Sequence, residues 1–129
     1  MYDLDANIRD LYPIEMHFEN KQEKDINYFK ELDRIILLKS KKINRRVIKK
    51  RIIYKKNKTK SILAFVITKF NGVKMFTFNI IEEIDAENKF KSISKKNRQL
   101  LEKCIKIQND NDFEYVRNII DKYLDKVLE

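Results

Sequence analysis

KSKKINRRVIKKRIIYKKNKTK, residues 39–60, holds twelve Lys or Arg in twenty-two positions and not one Asp or Glu. Its conformation decides the fold, because two readings compete. Projected at 100° per residue, Leu32, Ile36, Ile43, Val47 and Tyr54 fall in one stripe, so a helix entered upstream would continue through the basic stretch. The other reading ends that helix near Ser40 and opens a strand near Arg46. Val47, Ile48, Ile52, Ile53 and Tyr54 are β-branched or aromatic and favour the strand.

Working outward, Ile26, Phe29, Leu32 and Ile36 have helical spacing and predict a helix over Asp25–Leu38. Before it, residues 1–20 contain Pro13 and no sustained period. They read as an irregular arm or a short helical turn, with Ile14, Met16 and Phe18 as a brief strand in the alternative. Downstream, SILAFVITKF (61–70) and VKMFTFNII (73–81) flank Asn71-Gly72, a strong hairpin signal because both residues tolerate the positive φ of a type I′ turn. The first arm is apolar on both faces, which marks a central strand with the basic segment paired to its other side.

After Glu82 the period turns helical. Phe90, Ile93, Asn97, Leu100, Leu101, Cys104 and Ile107 predict a second helix, begun at Asp85 or Ser94. Asn109–Asp112 is a connection, and Asn111 with Glu114 has capping-box spacing. Phe113, Val116, Ile120, Tyr123 and Val127 then give a last amphipathic helix. The expected fold is α+β in a single domain over 1–129: an N-terminal helix, a three-stranded antiparallel sheet (about 46–56, 61–70 and 73–82) and two C-terminal amphipathic helices.

Composition bounds the function. The 129 residues are 43% apolar, enough for one two-layer core. One Gly leaves no room for a glycine-rich phosphate loop. A lone Cys104 forms no internal disulfide, no apolar leader opens the chain, and the longest apolar run, Ile62 to Ile67, is too short to span a bilayer. These features predict an intracellular protein, cytoplasmic or associated with nucleoid or nucleus, without a membrane anchor.

Catalytic signatures are weak. A nuclease core of the PD-(D/E)-x-K kind needs acids on its second and third strands to hold Mg²⁺, and no acid lies between Lys39 and Ile81. Glu87-Asn88-Lys89 matches E-x-K within the region read as helical. Glu82, Glu83, Asp85 and Glu87 suit a solvated turn or helix start better than a cation site. His17 and Cys104, each the only residue of its type, make no zinc set. No catalytic residue, metal or cofactor is therefore expected, and the chain is read as non-catalytic.

Lys, Asn and Ile, with A/T-rich codons, are all abundant, and codon bias can enrich the lysine behind the net charge of +9; it does not by itself remove acids from one segment. Residues 39–81 carry 14 basic and 0 acidic side chains, whereas 1–38 carry 5 and 9, and 82–129 carry 10 and 11. An acid-free surface attracts polyanions by releasing their counterions. Lys42, Arg45, Arg46, Lys49, Lys50, Arg51, Lys55 and Lys56 are the expected phosphate contacts, with Lys69 and Thr77 extending the surface and Tyr54 either stacking on a base or packing in the core.

The element order over residues 46–107 and the Asn71-Gly72 turn resemble the arm-binding domains of phage integrases and the plant domains that lay a three-stranded sheet in the DNA major groove, although their characteristic tryptophans and glycines are missing. That resemblance implies docking by the sheet and identifies no base-reading residue. Nucleic acid, DNA or RNA, is thus the expected partner. The alternative is an interaction or inhibitor module docking an acidic protein, and the last helix offers a homodimer surface.

Overall fold

A computed structural model describes residues 10–78, 83–92 and 103–128. Among these, a 3₁₀ turn at Ile14–His17 is followed by α1 (Glu23–Lys39), β1 (Ile43–Val47), β2 (Ile52–Lys56), β3 (Lys60–Ile67), β4 (Val73–Thr77), β5 (Lys91–Ser92), β6 (Lys103–Ile107) and α2 (Asp110–Leu128). The strands form one antiparallel sheet in the order β1-β2-β3-β4-β6-β5.

This corrects the expected three-stranded sheet with two C-terminal helices in two places. The basic stretch is a hairpin of two strands, with Ile48 N–H donating to Arg51 O at 3.0 Å across the reversal. Residues 103–107, expected in a helix, are strand β6, and one helix follows. The helical stripe had joined Cys104 to Ile107. In KCIKI, however, Ile105 and Ile107 alternate with Cys104 and Lys106, and pairing with β4 satisfies a strand that would otherwise lie at an edge. Ile93, Ser94, Asn97, Leu100 and Leu101 lie outside the described residues. With a six-stranded sheet, the likeness to three-stranded DNA-binding domains lapses.

α1 matches its prediction to within two residues at each end. The Asn71-Gly72 hairpin exists, but its reversal spans residues 68–72 and only Gly72 has positive φ (+80°). A Cβ on Gly72 would lie 2.1 Å from Ile107 O, so glycine is required by the approach of β6 as well as by φ. The turn with two left-handed central residues occurs instead at Asn57-Lys58 (φ 53° and 64°), between β2 and β3. There Thr59 N–H donates to Lys56 O, and Asn44 Oδ1 accepts from Lys58 N–H at 2.8 Å.

The α2 start is fastened two residues earlier than Asn111–Glu114 predicts. Asn109 Oδ1 accepts from Asp112 N–H, and Asp112 Oδ2 accepts from Gln108 N–H, both at 2.9 Å. Two otherwise orphaned amides are satisfied reciprocally.

Both helices pack on one face of the sheet. Phe65 is fully buried between the edges of Phe29 (5.5 Å) and Tyr54 (5.7 Å), and Tyr28 stacks on Phe113 at 5.0 Å where α1 meets α2. Each such fully buried side chain contributes roughly 1.5–3 kcal/mol of transfer free energy. Val116, Ile119, Ile120, Tyr123 and Leu124 bury the apolar stripe of α2 within the chain, and Tyr123 OH donates to Ile62 O. Of the stripe that suggested a dimer surface, Val116, Ile120 and Tyr123 are thus packed inside the chain and Phe113 and Val127 are half-buried. Lys39 joins the helices, meeting Asp121 and Asp125 at 2.8 and 2.7 Å.

Candidate nucleic-acid interface

The strand register sorts the basic side chains. Ile43, Arg45 and Val47 of β1 point toward the helices, as do Ile52, Tyr54 and Lys56 of β2. The alternate residues point away. One outward row crosses the whole sheet through Arg46, Ile53, Ala64, Phe76, Cys104 and Lys91; its neighbour runs Val66, Lys74, Lys106. Lys55 lies opposite Asn44 on the same outer face. No described strand contains an Asp or Glu. The acids of the described residues lie on the helices, the 3₁₀ turn and the connections.

Of the expected contacts, Arg46 and Lys55 lie on this outer face and Lys49, Lys50 and Arg51 in the turn that ends it. The Arg51 guanidinium lies 4.4 Å from the centroid of the Phe76 ring, a cation–π contact that aligns it on the face. Lys42 is exposed at the far end, just before β1. Lys56 is turned to the helix side, where Nζ donates to Val127 O at 3.0 Å.

Arg45 is buried. Its Nη1 donates to Asp33 Oδ2 and its Nη2 to Asp10 Oδ2, both at 2.9 Å, while Asp33 Oδ1 accepts from Tyr54 OH at 2.5 Å and Asp10 Oδ1 from Val47 N–H. Burial by itself lowers the Arg45 pKa, but the Asp10 hydrogen bond and the Asp33 charge outweigh it and the net direction is upward. Burial, then the Asp33 charge, pushes the Tyr54 phenol well above its usual range. Arg45 and Tyr54 therefore serve the core, where the network ties the N-terminal arm and α1 to β1. Thr77, expected on the outer surface, is fully buried on the inner face.

Sequence reasoning missed Lys74, Lys89, Lys91 and Lys106. With Phe76, Ser92, Cys104, Gln108 and Asp112 they surround a concavity of about 740 Å³ at the β4-β6-β5 end of the sheet. The signal was present in VKM and IKI, where a lysine alternates with inward apolar residues, but only the strand reading of 103–107 brings Lys74 and Lys106 together.

The tip of the β3–β4 reversal presents Lys69 and Phe70, the latter 79% exposed. The tip is braced by Thr68, whose Oγ1 donates to Gly72 O at 2.6 Å and accepts from Asn71 N–H at 2.9 Å. By register it lies at the same end of the sheet as Lys49 and Lys50.

Among the described residues no three His, Cys, Asp or Glu side chains converge on a metal-sized site, and no helix is long and apolar enough to cross a membrane. Asp85 accepts from Lys89 and Phe90 N–H and from Tyr115 OH, Glu83 pairs with Lys126, and Glu87 faces Lys89 at 3.8 Å. Glu87-Asn88-Lys89 lies in this connection and not in a helix, and Glu82 is outside the described residues. His17 Nε2 contacts Ile48 O at 2.8 Å.

Fold and surface define the class: a two-layer α+β domain whose helices cover one face of an antiparallel sheet and whose described strands place lysine and arginine, and no carboxylate, on the other. No protein-family model, curated protein or solved structure matches the chain.

Proposed function

We propose that this domain binds DNA or RNA through the outer face of its sheet and the adjoining turns, chiefly by phosphate contact and without catalysis. The observation that carries this reading is the sorting of charge by strand register. Arg46, Lys55, Lys74, Lys91 and Lys106 share a face to which no described strand contributes a carboxylate, which leaves that face with an excess of positive charge. Lys49, Lys50 and Lys69 extend it at the turns. Phe70 supplies an exposed ring beside those cations, suited to stacking on an unpaired base. Arg45 and Lys56 are not part of the proposed surface.

The test is a titration of labelled duplex and single-stranded oligonucleotides over a salt series. Reversing Arg46, Lys55 and Lys106 to Glu abolishes or strongly weakens binding and lowers the slope of log K against log salt by roughly 2 to 3, near 0.9 per duplex phosphate contact or 0.7 per single-strand contact. Reversing Arg117 and Lys122 on the exposed side of α2 leaves both unchanged. Absence of binding at low salt, or equal loss in the two variants, overturns the proposal. Stoichiometric capture of one acidic protein, with no nucleic acid bound, supports the interaction-module alternative.

A further inference from the structure

Lys74 and Lys106 are direct cross-strand partners on the outer face, and the cavity they line also takes Lys89 and Lys91. Like charges directly opposite on one face of an antiparallel pair are destabilising, since their Cβ atoms lie only about 4.5–5.5 Å apart. Among the described residues neither lysine meets a carboxylate within ion-pair distance. Lys89 is steered by the Tyr115 ring, 4.7 Å from its Nζ, and by Glu87 at 3.8 Å. The one acid in the wall, Asp112, is already engaged by Gln108 N–H at the head of α2. The concavity is therefore lined by four lysines beside the buried Phe76.

Set against Asp112 and the Glu87 carboxylate beside Lys89, these lysines leave a formal excess of about two positive charges, still more than a backbone phosphodiester, with its single negative charge, requires. A phosphomonoester carries roughly −1.5 to −2 at neutral pH and three acceptor oxygens. The volume also falls within the roughly 300–1,000 Å³ of small-ligand sites. We infer that this cavity is a site for a phosphoryl group of higher charge than a diester, supplied either by the phosphorylated end of a nucleic-acid strand or by a free phosphorylated molecule. The strand-end source rests on the nucleic-acid reading above; the free-ligand source does not.

The experiment compares one single-stranded oligonucleotide carrying a terminal hydroxyl or a terminal phosphate, at the 5′ end and separately at the 3′ end, and adds calorimetry with inorganic pyrophosphate. A strand-end site binds one phosphorylated form about tenfold more tightly, the order of one charge-assisted hydrogen bond. The difference disappears in Lys74→Gln/Lys106→Gln and shrinks as pH falls below about 6, where the monoester loses its second charge. Pyrophosphate binding that is lost in the same variant, without any end effect, identifies the free-ligand source.

No end effect and no pyrophosphate binding, or effects undiminished in the variant, overturn the inference. Failure of the nucleic-acid reading is read separately, as absent salt-dependent binding of the hydroxyl oligonucleotide. Relief of the like-charge pair leaves the double variant melting no lower than wild type. If it fails to fold, Lys91→Gln on the exposed, two-residue β5 gives the same comparison.

Discussion

Arg45 Nη1 donates to Asp33 Oδ2 at 2.9 Å from β1 to α1, while the adjacent Arg46 points out of the opposite face of the sheet. Two neighbouring arginines of the same basic stretch thus have different work. Replacing Arg45 by Met leaves Asp10 and Asp33 without their shared cation. It destabilises the fold by about 3–5 kcal/mol, as expected when one partner of a buried charge network is removed. Denaturant unfolding measures the loss. Arg46→Met shifts stability far less and weakens nucleic-acid binding instead.

Positive φ makes two opposite predictions. Gly72→Ala places a methyl against Ile107 O at a φ of +80° and destabilises by about 2–3 kcal/mol, lowering the denaturation midpoint. Lys58, at φ 64°, stands where the turn prefers glycine. Lys58→Gly retains the amide that Asn44 accepts and stabilises by up to about 1 kcal/mol, measured by the same unfolding curves.

Thr77 is fully buried, and among the described residues its Oγ1 has no hydrogen-bond partner. Thr77→Val keeps the shape and removes the desolvated hydroxyl. It raises stability by about 1–2 kcal/mol and leaves binding unchanged. A lower melting temperature for this variant would refute that account of the site.

Two phenols set an alkaline limit. The hydrogen bond to Asp110, then burial, pushes the Tyr28 pKa up to about 12; burial, then the bond to Asp85, does the same for Tyr115. Between the ordinary value of 10 and about 12 the unfolded chain ionises these phenols and the folded chain does not. Their contribution is therefore full below pH 10 and is lost as pH rises through 12. Tyrosinate absorbance resolves the late titration, and the stability difference between wild type and Tyr28→Phe vanishes over the same range.

Much of this molecule was legible in local pattern. The stripe Ile26, Phe29, Leu32, Ile36 specifies α1, and Val116, Ile120 and Tyr123 specify α2. The apolar arms around Asn71-Gly72 specify the β3–β4 hairpin. These are short-range periodicities, which neighbouring residues determine. The absence of acids from 39–81 was equally plain, since charge segregation needs no coordinates.

Tertiary structure decided which basic side chains face outward and what joins them. Residues 103–107 fit a helical stripe and an alternating strand alike, and hydrogen bonding to β4, some thirty residues distant in the chain, selects the strand. That pairing sets Lys106 opposite Lys74 and creates the lysine-lined cavity. In a strand, side chains alternate between faces, so register assigns Arg46 to the outer surface and Arg45 to the core. Composition made the chain basic; the partner across each strand determined where that charge meets solvent.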